Sequence, residues 1–209
     1  MEQNEYLASL LPSGAPWVED MERYAEQHHI PIMEPTGIHF LMQLIRIKRP
    51  DKILEVGAAI GYSALRMKEA YPETEIVTIE RDQDRYETAK RYLDSLDKEG
   101  QINLVYGDAL EVKEQIAAQA PYDLIFIDAA KGKYQTFFEM FAPMLADKGM
   151  IVSDNVLFKG YVHGREDDNK KMHKIGRKID AYNQWLMQQD DFETNIVPIG
   201  DGVAISVKK

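Results

Sequence analysis

Asp128 closes the apolar run Leu124-Ile125-Phe126-Ile127, and Asp154-Asn155 closes Met150-Ile151-Val152-Ser153. If the two runs are neighbouring strands, two carboxylates and a carboxamide converge at one rim. Such hard oxygen donors suit magnesium or another divalent cation, with water or substrate completing the shell. Taken singly, each acid reads better as a cap on the segment that follows, and only the set favours a metal. Lys131 stands one short turn beyond Asp128, where an amine beside a cation can act as a general base. Alone, it would be a solvated lysine at a helix start.

A second constellation begins at Leu54-Glu55-Val56-Gly57-Ala58-Ala59-Ile60-Gly61-Tyr62-Ser63. Gly57 permits a sharp turn, and Gly61 permits close approach of a ligand to a helix start. The spacing is Gly-x-x-x-Gly, not the Gly-x-Gly-x-x-Gly that packs a pyrophosphate. Glu80 follows 23 residues after Gly57, where an acid can accept both hydroxyls of a ribose. Asp108, in Gly107-Asp108-Ala109, could meet an adenine amino group. Either acid alone could be a cap. In sequence, a glycine turn and two acids describe an adenosine pocket with no phosphate cradle, which favours S-adenosylmethionine over a nicotinamide dinucleotide.

Chemistry at these positions needs strands that end together. β-Branched runs predict strands over 52–56, 75–80, 102–106, 122–128 and 150–154, with helices over 61–70, 83–97, 109–118 and 133–145 between them. Strand and helix in alternation imply parallel strands and right-handed crossovers, a doubly wound, Rossmann-like α/β sheet. A long helix over 169–189 leads to strands at 193–199 and 203–207. Their Gly200-Asp201-Gly202 link is too short for a crossover, so the seven-stranded sheet closes with an antiparallel hairpin. Residues 1–47 form a helical cap on a core spanning 52–209, in one domain of 209 residues.

With 35 acidic and 25 basic side chains, the net charge is -10, which argues against a protein that coats nucleic acid over its whole surface. Cysteine is absent, which excludes disulfides, thiolate metal sites and a cysteine nucleophile. No apolar run approaches a membrane span, and the start of the chain, with Glu2 and Glu5, lacks a signal pattern. A cytoplasmic protein is the expectation. The histidines show no metal spacing, and the methionines at helical positions read as core filler.

Together these motifs resemble the metal-dependent class I O-methyltransferases, the family of catechol and caffeoyl-coenzyme A O-methyltransferases. The likeness covers roughly residues 30–209. It rests on Glu55-Val-Gly-x-x-x-Gly61-Tyr-Ser63, Glu80, Gly107-Asp108-Ala109, Asp128-x-x-Lys131-x-x-Tyr134 and Asp154-Asn155. The resemblance implies a donor pocket of Met33, Glu55, Gly57, Ser63, Glu80, Asp108, Ala109 and Asp128. It also implies metal ligation by Asp128, Asp154 and Asn155, with Lys131 as the base. Homodimers are common in the family. Its bacterial branch that methylates 5-hydroxyuridine at the tRNA wobble position is most similar, which implies tRNA as partner.

Residues 159–179 hold seven basic and three acidic residues, a net +4. Lys159, Arg165, Lys170, Lys171 and Lys174 are the candidate RNA contacts there, with Tyr161 and His163 placed where a flipped base could stack. Without the resemblance, a solvated helix face explains them as well. Arg46, Lys48, Arg49 and Lys52 form a second basic cluster. Three rivals stand beside the tRNA reading: an enzyme acting on a small vicinal diphenol, a nicotinamide-dependent oxidoreductase, and a non-catalytic binding module.

Overall fold

The computed structural model describes residues 3–209; Glu2, part of the acidic start, lies outside the described residues. Three helices come first: α1 (Gln3–Ser9), α2 (Pro16–Gln27) and α3 (Pro35–Lys48). Proline opens both α2 and α3, where its missing N–H costs nothing and its fixed φ suits the first turn. The alternating core follows as β1 (Lys52–Val56), α4 (Tyr62–Ala70), β2 (Glu75–Glu80), α5 (Gln83–Leu96), β3 (Ile102–Tyr106), α6 (Lys113–Ala117), β4 (Tyr122–Ile127), α7 (Tyr134–Phe141) and β5 (Leu145–Ser153). It ends with α8 (Lys170–Leu186), β6 (Phe192–Val197) and β7 (Val203–Lys208).

All seven strands join one sheet in the order β3-β2-β1-β4-β5-β7-β6. The first five are parallel, and β7 runs antiparallel to both β5 and β6. This is the seven-stranded α/β sheet with a carboxy-terminal antiparallel hairpin that the sequence predicts. The strand order reverses between β1 and β4, the place where doubly wound sheets hold ligands.

Strand periodicity assigns the two faces. Leu54, Val56, Ile125 and Ile127 point to a core closed by α6, α7 and α8, through Ile116, Phe137, Phe138, Ile179 and Leu186. Ile53, Leu124 and Phe126 point to the other core, closed by α2 to α5 through Met21, Leu41, Ile45, Leu65 and Leu93. Of the opening helices, α2 and α3 therefore cover a sheet face. Among the described residues no helix is long and apolar enough to cross a membrane.

Several boundaries differ from the sequence reading: the helix expected over 133–145 ends as α7 at Phe141, that over 169–189 is Lys170–Leu186, and the strand over 193–199 is Phe192–Val197. Two further differences have a local cause. The helix expected over 109–118 is only the five residues of α6, because Asp108 turns the chain back on itself by accepting the Leu110 N–H. β5 begins at Leu145, five residues before the apolar run, because Asp147-Lys148-Gly149 reads as loop yet stays in the strand beside a register shift.

Glu55 lies on β1 with its side chain on the α4 face, fully buried. It accepts hydrogen bonds from Ser63 Oγ and, at 2.5 Å, from Thr78 Oγ1, its cross-strand neighbour. Burial pushes its carboxyl from the ordinary 4.5 up to about 7, and the two hydroxyls pull it back only in part. The folded protein thus holds a proton that the unfolded chain releases, so stability falls as pH rises from about 4.5 to about 7. Glu55→Gln removes that dependence. Denaturant unfolding should show the variant gaining up to about 3 kcal/mol on wild type at mildly alkaline pH, with the gain vanishing near pH 4. A difference independent of pH would contradict this.

Candidate active site

Backbone hydrogen bonds extend the parallel ladder one step past the strand ends. Gly57 N–H and Ala58 N–H donate to Ile79 O (3.1 and 3.0 Å), Asp128 N–H to Val56 O (3.1 Å), Asp154 N–H to Ile127 O (3.1 Å) and Gly107 N–H to Glu80 O (3.0 Å). The loops after β1 to β5 therefore leave one rim in register. A cavity of about 300 Å³ opens there, and Gly57, Glu80, Asp108, Ala109, Asp128, Lys131, Asp154 and Asn155 all line it. The sequence placed these residues at separate strand ends; the sheet gathers them.

At one end Gly57 adopts φ 107°, and a Cβ there would lie 2.1 Å from the Asp128 carbonyl oxygen. Glu80 is 6% exposed. Its Oε1 accepts the Arg81 and Asp82 N–H groups (2.9 and 2.8 Å), and Oε2 accepts that of Ala59 (2.8 Å). Three backbone donors thus fix the carboxylate at the cavity wall, and Oε2 keeps a lone pair for a ligand hydroxyl. Asp108 pairs with Arg81 Nη1 at 3.3 Å.

Three expected pocket residues do not line the cavity. Glu55 faces α4, since the strand's period of two turns it away from the rim. Ser63 Oγ is turned inward by its bond to Glu55. Met33 is buried against Gly37 of α3. In its place the preceding Pro31 and Ile32 reach the cavity, as do Arg81 and Arg85 after Glu80. The proline bracket around residues 31–35 and the basic pair beside the acid were the available signals.

The other end is electrostatically loaded. Burial first, then the nearby Asp128 charge, push the Asp154 carboxyl up to about 8. Burial also raises Asp128, against the pull of Lys131. Asn155 takes the left-handed conformation (φ 56°), which asparagine tolerates better than most side chains. Its Nδ2 donates to Asp154 Oδ2 at 3.0 Å, while its Oδ1 accepts from Lys131 Nζ. Tyr134 O–H donates to the Asp154 carbonyl at 2.9 Å and so anchors this tip from α7. Lys131 Nζ also lies 6.0 Å from the centre of the Phe158 ring.

Two mutually opposed carboxylates and an amide oxygen are a donor set that a hard divalent cation would satisfy, offsetting the repulsion between them. Among the described residues no three His, Cys, Asp or Glu side chains group as a metal site, so such an ion would depend on the Asn155 amide.

An O-methyltransferase family model matches residues 13–209 of the chain. The chain belongs to this family of S-adenosylmethionine-dependent O-methyltransferases. A caffeoyl-CoA O-methyltransferase of Populus kitakamiensis is 28% identical over 172 residues, covering 79% of this chain and 73% of its own. A Staphylococcus aureus structure, provisionally named a caffeoyl-CoA O-methyltransferase, is similar with TM-score 0.90 at 34% identity, covering 99% of both chains. An O-methyltransferase from Bacillus cereus, solved in complex with S-adenosylhomocysteine, shares the fold with TM-score 0.84 at 22% identity, covering 99% of this chain and 96% of its own.

In this methyltransferase the two basic clusters separate. Lys170, Lys171 and Lys174 are exposed on α8, whose Lys178 Nζ comes within 3.3 Å of a Cβ built on Gly132, in the loop after Asp128. Lys159 and Arg165 are exposed on the segment after Asn155. Arg165 pairs with Asp167 at 3.2 Å, and Tyr161 O–H donates to the same carboxylate at 2.5 Å. Arg46, Lys48, Arg49 and Lys52 instead sit at the amino end of β1, on the rim opposite the cavity.

Gly57→Ala forces a Cβ into the Asp128 backbone at a left-handed φ. A loss of about 3 kcal/mol, roughly 6–12 °C in melting temperature, is expected by calorimetry. Melting within about a degree of wild type would show that the rim is looser than described.

Proposed function

We propose that this methyltransferase transfers the methyl group of S-adenosylmethionine to the 5-hydroxyl of 5-hydroxyuridine at the tRNA wobble position, with magnesium or another divalent cation at Asp128, Asp154 and Asn155. The observation that carries the acceptor is the exposed basic face of α8. Lys170, Lys171, Lys174, Arg177 and Lys178 recur at helical spacing, and Lys178 lies beside the loop that bears Lys131. In a chain of net charge -10, so local a concentration at the mouth of the acceptor end suits a phosphate backbone.

At the donor end, Glu80 accepts from the ribose and Gly57 leaves room at the turn. The cation, when bound, supplies positive charge that favours the deprotonated acceptor hydroxyl. Like a catechol, 5-hydroxyuracil offers two adjacent oxygens, so the chemistry suggested by caffeoyl-type relatives carries over. Lys131, once its ammonium has lost a proton, takes the hydroxyl proton as the neutral amine. The acceptor oxygen then bonds to the methyl carbon while the carbon–sulfur bond breaks, leaving S-adenosylhomocysteine.

The names of the relatives favour a second reading, a small vicinal diphenol of the caffeoyl type as acceptor. Incubation with labelled S-adenosylmethionine and RNA from cells lacking the protein, followed by digestion to nucleosides, separates the two. Label in 5-methoxyuridine supports the tRNA reading, and label confined to small diphenols replaces it. Reversing charge at Lys170, Lys171 and Lys174 should lower tRNA methylation at least about tenfold and leave methylation of free catechol unchanged. Undiminished transfer to tRNA would refute the basic-face argument. Lys131→Ala should cut kcat by about 100-fold or more, with S-adenosylhomocysteine affinity held.

A further inference from the structure

The Gly200-Asp201-Gly202 turn does more than reverse the chain between β6 and β7. A Cβ on Gly200 would touch the Gly37 backbone at 3.5 Å, so the turn is seated on the start of α3. A Cβ on Gly202 would lie 2.4 Å from Leu157 Cγ and 2.9 Å from Leu157 N, so the turn is pressed equally against the segment after Asn155. The backbone seals that contact: Val156 N–H donates to Gly202 O (3.0 Å) and Leu157 N–H to Asp201 O (2.9 Å). The half-buried Asp201 carboxylate then reaches further and accepts the Lys159 N–H.

Between those anchors the backbone is unusual. Phe158 and Lys159 both take positive φ (45° and 52°), three residues after Asn155 does the same. A bulky aromatic residue rarely adopts that conformation unless its surroundings enforce it. Here it buries the Phe158 ring, 4% exposed, beneath the Lys131 ammonium. The Asp201 charge also attracts Lys131.

We propose that Asp201 is a positioning residue for methyl transfer: its carboxylate clasps the Lys159 amide, holds Asn155, Phe158 and Lys159 in their left-handed conformations, and so fixes the ring and the amide against which Lys131 rests. The proposal rests on the acceptor end being the one that Lys131 serves. Donor binding lies at the other strand tips and does not depend on the clasp.

Asp201→Ala removes the acceptor of the Lys159 N–H, whereas Asp201→Asn keeps an oxygen there and loses only the charge. Hydrogen exchange of the ligand-free protein should show Lys159 and its neighbours exchanging at least about tenfold faster in the alanine variant and near wild type in the asparagine variant. Steady-state transfer to tRNA bearing 5-hydroxyuridine, and to catechol, should lose about tenfold or more in kcat/KM for the acceptor with alanine, largely restored by asparagine. Calorimetric S-adenosylhomocysteine affinity should stay within about twofold in both. Unchanged exchange at Lys159 overturns the clasp. Faster exchange with unaltered acceptor kinetics overturns the positioning role. If wild type methylates neither acceptor, the assigned substrate is wrong, and the exchange experiment still decides the clasp.

Discussion

Asp128 and Asp154 occupy adjacent strand tips, and the sheet does not let them separate. Each is tied by its own N–H to the neighbouring strand, Asp128 to Val56 and Asp154 to Ile127, so moving either backbone away means breaking the ladder at its end. Two carboxylates so held, largely out of water, oppose one another's ionisation. Lys131 relieves part of the opposition, and Asn155 and Tyr134 orient what remains. The site is therefore primed for a positive charge before any ligand arrives. Burial, which destabilises the ionised acids, is also what would make a cation effective there.

The rest of the molecule keeps that rim in place. The two faces of the sheet are covered by separate helical layers, so the central strands β1, β2 and β4 are buried on both sides and a shift of register would expose apolar side chains. α2 and α3 belong to one of those layers, and the link between them brings Pro31 and Ile32 to the cavity wall. The hairpin turn at Asp201 touches both the start of α3 and the segment after Asn155, so the last two strands brace that end of the cavity.

Much of this was legible in the sequence, for physical reasons that can be named. β1, β2 and β3 fall at 52–56, 75–80 and 102–106 as expected, because each is an apolar, β-branched run between turn residues. The eight cavity residues were found because chemistry at the rim of a parallel sheet has to come from residues just past strand ends. Glu55 misled for the opposite reason: its neighbours spell a glycine motif, but it lies inside a strand, where alternation decides its direction. Asp201 gave no signal, since an acid between two glycines looks like any turn until the chain it clasps, 42 residues earlier, is seen beside it. The cluster at Arg46 to Lys52 likewise lies near the glycine loop in sequence but a full strand length from the cavity.

The central claim is that the acid pair is completed by a divalent cation, and magnesium titration of the protein saturated with S-adenosylhomocysteine tests it most directly. Because the Asp154 carboxyl is pushed up to about 8, cation binding at neutral pH must release a proton. Calorimetry in buffers of different ionisation heat should therefore report one site with proton release, and both should vanish in Asp154→Ala. Absence of binding in the wild type, or binding that survives in the variant, would contradict the account.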